Sequence, residues 1–157
     1  KANQSRQHHP AEYIAHGGIQ RPIAAPQHDV SHQHDLGTVN IHIQGNLASM
    51  AELARASGIR VILSSVLPVS ESHVRPGDTG PPQTTRRPMA RIAALNAWMK
   101  AYAAANGHVY LDYESAMSDA KGLLRAELSE DDLHPNAAGY AIMAPLAEAA
   151  IQAALKK

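Results

Sequence analysis

The chain has no cysteine and no phenylalanine, only one tryptophan, and no excess of either charge sign. Without cysteine, disulfides and thiolate metal centres are excluded. Lysine plus arginine and aspartate plus glutamate both number 14, so no basic footprint for nucleic acid is present. No apolar run approaches the roughly 20 residues that span a bilayer. The chain's first residues are not expected to be a signal peptide. It begins at Lys1 rather than Met, so upstream sequence is expected to have been removed or left out. There is no glycine-rich phosphate loop and no internal repeat. The 157 residues suit one domain, 1–157, with a real core. Seven of the ten histidines crowd into residues 1–42, which sets that His- and Gln-rich segment apart from residues 43–157.

Periodicity organises the second part. Residues 46–57 read as a helix with Asn46 as N-cap, a stripe of Leu47, Met50, Leu53 and Ala54, and Gly58 as its end. Arg60–Val66 is a nearly unbroken apolar run, the pattern of a strand covered on both faces. Pro68, Pro76, Gly77, Gly80, Pro81, Pro82 and Pro88 mark residues 68–88 as a long loop, either a functional wall or lid or a surface excursion. Residues 89–106 form the clearest helix, with Ile92, Leu95, Met99 and Tyr102 on one face and Gly107 beyond its end. His108–Asp112 is a second buried strand, so strand, helix and strand make a right-handed parallel crossover. A last helix runs from about Asn136 to Leu155 on a stripe of Tyr140, Met143, Leu146, Ala147, Ala150 and Ile151, and Pro145 is expected to kink or split it. Met50, Met99 and Met143 are expected in the core, and Trp98 and Tyr102 between helix and sheet. Thr38–Ile43 alternates and suits a strand.

The segment that carries chemistry is Asp131-Asp-Leu-His-Pro-Asn-Ala-Ala-Gly-Tyr140. Pro135 holds His134 extended, just before a helix. A carboxylate three residues back can fold onto the imidazole, fixing its tautomer and leaving the other nitrogen for a reacting hydroxyl. Taken alone, Asp131 also suits a turn cap and His134 a solvent-exposed side chain. Gly139 suits a close helix approach or plain packing.

Three further stretches accompany this segment in order: Ile43-Gln-Gly-Asn-Leu-Ala-Ser-Met-Ala-Glu-Leu-Ala-Arg-Ala56 with Ile59-Arg-Val-Ile-Leu-Ser-Ser-Val-Leu-Pro68, Arg91-Ile-Ala-Ala-Leu-Asn96, and Gly107-His-Val-Tyr-Leu-Asp112. Together they resemble SGNH (GDSL-type) serine esterases over about residues 43–155. The resemblance implies a three-layer α/β/α sandwich with a flavodoxin-like parallel sheet. It implies hydrolysis of a carboxylic ester by a serine through an acyl-enzyme, with Asp131 and His134 as the acid and base of the triad. Asp132 is the rival acid, at a spacing that does not match. The implied substrate is a small acyl ester, an acetylated sugar or a lysolipid, with no cofactor, a homo-oligomer allowed, and a secreted or periplasmic location slightly favoured.

The family's Gly-Asp-Ser nucleophile block has no counterpart; Gly77-Asp78 is followed by Thr79 and falls in the wrong place. Tyr13–Ile19 resembles the second block, with Gly18 as an oxyanion donor, and Gly37–Asn40 the third, with Asn40 as the other donor. The nucleophile is therefore unknown and the sandwich is expected to be incomplete at its N-terminus. Three accounts compete: a fragment of a longer esterase, a mis-assigned first 40 residues, or a chain that completes its sheet with a partner. The alternative function is a catalytically inactive binding domain of the same fold. Ser64 and Ser65, at a strand end, are expected to be packed or to line the pocket. His8, His9, His32 and His34 do not amount to a metal site, and none is expected.

Overall fold

The crossover unit organises the structure. In the computed structural model, residues 36–73, 77 and 79–156 are described, all within one unit, Gln33–Lys157. Their elements are α1 (Leu36–Ala56), β1 (Ile62–Ser64), α2 (Gln83–Arg86), α3 (Met89–Asn106), β2 (Val109–Leu111), α4 (Tyr113–Met117), a 3-10 turn (Ala126–Leu128) and α5 (Ala137–Leu155). β1 and β2 pair in parallel, with Ile62, Leu63 and Ser64 opposite Val109, Tyr110 and Leu111. α3 and α5 both pack on this pair, and α1 packs on α3, as an α/β/α sandwich requires. Gly107 ends α3 in the left-handed conformation at φ 70°, where a side chain would be strained.

β1 stops short of the end of the apolar run that encodes it, and a side chain is the reason. Asn96 is buried in α3, with its amide turned onto the backbone of Val66. Val66 N–H donates to Asn96 Oδ1 at 2.8 Å, and Asn96 Nδ2 donates to the Val66 carbonyl at 2.9 Å. The amide thus takes the place of a neighbouring strand and turns the chain out of the sheet. Burial along β1 is one-sided, since Leu63 is buried and Ser64 exposed. The covering expected on both faces is therefore incomplete at Ser64.

α1 differs most from its sequence pattern. Residues 38–43, expected as a strand, are helical, and Asn46 lies inside the helix rather than at its start. The inward stripe is Gln44, Leu47, Ala48, Ala51 and Ala54, while Met50 and Leu53 face outward. Contact with α3 overrides the weak helix propensity of Gly45 and Asn46. Asn40 Nδ2 donates to the Arg91 carbonyl, and Tyr102, stacked on Trp98, donates to the Ala48 carbonyl, each at 3.4 Å. Trp98 and Tyr102 are therefore tied into the α1–α3 junction as well as the helix they belong to. Gly58 closes the turn after α1 at φ 71°.

α5 runs through Pro145 as one helix. Pro145 and Ala141, whose carbonyl loses its donor, are both on the exposed side, where water can replace the bond. Its inward face is Gly139, Ile142, Met143, Leu146, Ala147, Ala150 and Ala154, whereas Tyr140 and Ile151 are exposed. Among the described residues, α5 is long and apolar enough to cross a bilayer by length and composition. Here that helix packs on β1, β2, α4 and the 3-10 turn.

Replacing Asn96 by alanine leaves both backbone groups of Val66 without their partner. Asn96→Ala is expected to lower the unfolding free energy by about 2–4 kcal/mol, measured by urea denaturation. A loss below roughly 0.5 kcal/mol would mean that the amide is not what ends the strand.

Candidate active site

The segment after the 3-10 turn is built from hydrogen bonds before it reaches any ring. Ser129 is buried, and its hydroxyl accepts from Asp131 N–H and Leu133 N–H. Asn136 caps α5 by accepting from Ala138 and Gly139 N–H, while its own amide donates to the Glu127 carbonyl. Gly139 completes the fit: a Cβ there would lie 2.8 Å from the Leu128 carbonyl oxygen and 2.9 Å from Pro135 Cβ. Met117, Leu124 and Leu128 form the apolar floor, with Leu67, Ile142 and Met143 packed against it.

Asp131 then grips His134 twice. Its Oδ1 accepts the His134 backbone N–H at 2.7 Å, and its Oδ2 lies 2.6 Å from Nδ1 of the ring. The hydrogen bond from the His134 ring, with that from its backbone, holds the Asp131 carboxyl far below the usual carboxylate range. An ionised carboxylate only accepts, so the neutral ring carries its proton on Nδ1 and keeps a free lone pair on Nε2. The His134 side chain is 74% exposed, so that nitrogen is accessible.

Asp132, the next residue, repeats the device on another histidine. It is 3% exposed and takes a left-handed backbone at φ 66°, a conformation uncommon outside glycine. Its carboxylate accepts from the Ser70 hydroxyl at 2.5 Å, from Ser72 N–H at 2.9 Å and from His73 N–H at 2.8 Å, and lies 3.0 Å from His73 Nδ1. Burial pushes the Asp132 carboxyl up, but the bonds from Ser70, His73 and Ser72 outweigh it and leave it below its ordinary value. Ser70 N–H also donates to the Asp132 carbonyl, and Leu124 N–H to the Val69 carbonyl. The start of the long loop is therefore bound into the interior, with Pro68, Val69 and Ser70 buried.

His73 and His134 line one cavity of about 490 Å³, together with Glu71, Gly80, Pro81, Pro82, Gln83, Arg86, Asp131, Asp132 and Leu133. The Thr84 hydroxyl donates to Glu71, tying the loop to α2. The proline-rich segment thus forms a wall of the cavity.

Of the residues singled out in the sequence, Asp131 and His134 come together at this wall. Asn40 lies in α1 with its amide on Arg91, and it is not among the residues lining the cavity. Gly18 lies outside the described residues, as do His8, His9, His32 and His34. Ser65 does not line the cavity; it is buried, and its hydroxyl accepts from Tyr113 and Glu114 N–H at the start of α4. Ser64 is exposed elsewhere. Among the described residues, no serine hydroxyl bonds to the His134 ring. His73 was not singled out in the sequence. The signal that could have found it is a run of polar residues, Ser70-Glu-Ser-His73, just after a strand end, where parallel sheets place their sites.

Comparison with known proteins agrees with this architecture. The model of the GDSL-like Lipase/Acylhydrolase family matches residues 6–142. A protein named as an acylhydrolase from Bacteroides fragilis NCTC 9343 is 35% identical with a TM-score of 0.61, over 72% of this chain and 51% of its own. A GDSL-like lipase from Bacteroides thetaiotaomicron VPI-5482 is 37% identical with a TM-score of 0.59, over 72% of this chain and 52% of its own. The esterase domain of the ORF1 protein from a zebrafish retrotransposon shares the fold at 19% identity, with a TM-score of 0.52 over 72% of this chain and 59% of its own. The chain thus spans about half the length of the two bacterial structures. No curated protein matches it significantly.

The lowered Asp131 carboxyl has a consequence for stability. Its contribution is fully present above the unfolded carboxylate value of ~3.9 and is lost as the pH falls through the lower folded value. Urea melts of wild type and Asp131→Asn are expected to differ at neutral pH and to converge in acid. A gap that stays constant down the acid range would show that these bonds do not hold the carboxylate.

Proposed function

The chain belongs to the GDSL-like lipase/acylhydrolase family, and on that premise we propose that it hydrolyses carboxylic esters, with His134 as general base and Asp131 as its orienting acid. One observation carries the reading: a carboxylate 2.6 Å from Nδ1 of an accessible imidazole at the wall of a cavity. A turn cap alone has no need of the ring contact, and Asp131 makes that contact while it also caps the turn.

The proposed chemistry is two acyl transfers. A serine hydroxyl from outside the described residues attacks the ester carbonyl and gives its proton to His134 Nε2. The carbonyl–alkoxy bond breaks, and His134 returns the proton to the departing alcohol. Water repeats the sequence on the acyl-enzyme, releasing the acid and restoring the serine. Asp131 stays ionised and stabilises the imidazolium formed in between. Gly18 is proposed as an oxyanion donor. Asn40 is proposed as the other through the second N–H of an amide whose first is on the Arg91 carbonyl, but it is not among the residues lining the cavity, so its part is the weaker.

Charged and polar side chains, Glu71, His73, Gln83 and Arg86, supply much of the cavity wall. That lining supports a small acyl ester or an acetylated sugar over a lysolipid, whose tail needs apolar walls.

A fluorophosphonate probe is expected to label one serine in the wild type and none in His134→Ala. The same variant is expected to lose about 10³-fold or more in kcat/KM on a short acyl ester. Equal labelling and equal rates would remove His134 from the mechanism. A folded wild type with neither label nor turnover would leave a binding domain of the same fold.

A further inference from the structure

We propose that His73 is a second substrate-facing residue of the cavity, whose Nε2 accepts a hydrogen bond from a hydroxyl on the alcohol half of the ester. This rests on the esterase reading above and names the kind of alcohol that the same site selects.

The geometry of the two histidines is parallel. In each, one carboxylate takes both the backbone N–H and the ring Nδ1: Asp131 with His134, Asp132 with His73. The two carboxylates are consecutive, and both rings line one cavity. Asp132 holds a strained left-handed backbone to make its set of bonds, and the loop start is buried around it. Fixing a loop would need only the backbone donors of Ser72 and His73 with the Ser70 hydroxyl. The ring contact adds something else, because it sets the orientation and the tautomer of an imidazole that is 36% exposed at the cavity.

That tautomer decides what the ring can recognise. Asp132 is ionised and only accepts, so the neutral His73 ring carries its proton on Nδ1 and presents a bare acceptor at Nε2. A bare acceptor beside the ester selects a donor, and among common alcohols that donor is a further hydroxyl. The position favours the alcohol half. His134 must reach the departing oxygen to protonate it, and His73 shares its cavity wall through the adjacent aspartate. Gln83 and Arg86 in α2 add polar lining of the same character.

Glyceryl monoacetate and propyl acetate share the acyl group and the carbon chain, and differ in their hydroxyls. His73→Ala is expected to lower kcat/KM for glyceryl monoacetate roughly tenfold while leaving propyl acetate within about twofold. His73→Gln, whose amide oxygen can stand near the position of Nε2, is expected to recover part of the preference. Equal losses on both esters, or no loss on either, overturn the proposal. A second readout works without turnover: the ¹⁵N signal of His73 Nε2 is followed during titration with glycerol and, as control, with 1-propanol. A shift with glycerol alone in a protein that cleaves no ester sinks the esterase reading and keeps the hydroxyl subsite. No selective shift sinks the subsite, whether or not esters are cleaved.

Discussion

The left-handed turn at Asp132 is the constraint on which the site depends. Two successive residues in an extended chain point their side chains to opposite sides. With Asp132 turned to φ 66°, neighbouring carboxylates instead serve two histidines on one cavity. One histidine is three residues away in sequence and the other is 59 residues away. A single local strain therefore joins the segment before α5 to the segment that leaves β1.

The support for that turn is layered. Ser129 organises the backbone from below, Asn136 starts α5, and Gly139 lets the helix come close enough for Leu128 and Pro135 to touch it. Beneath them Met117, Leu124 and Leu128 are almost completely buried. Each part restricts the next, so the His134 ring can be exposed and still hold its orientation. An exposed imidazole on an unsupported loop would sample several rotamers and lose that alignment.

The sequence shows the crossover unit and the Asp131–His134 pair because both are written locally. The α3 stripe keeps a helical period, and the pair lies within one turn of chain. The partners of Asp132 leave no such local trace, since Ser70 and His73 lie 62 and 59 residues earlier in the chain. α1 is harder to read for the opposite reason: Gln44, Gly45 and Asn46 look like a break, but contact with α3 holds them helical. Asn96 carries a signal in plain view, a polar residue beside Leu95 on an apolar face. In a core, such a residue must be answering a polar group elsewhere.

Asn96 also sets a phase relation between helix and sheet. Its amide meets Val66 only when α3 presents it at one rotational angle, and each residue added to a helix rotates the remainder of that helix by about 100°. A single insertion between Met89 and Asn96 would swing the amide off the strand end and release the chain that runs from Val66 to the cavity. The same insertion in the connection between His73 and Gln83 would leave that angle untouched. A change of length is thus compatible with this contact between His73 and Gln83 and incompatible with it between Met89 and Asn96, and Pro88, at the start of α3, lies between the two stretches.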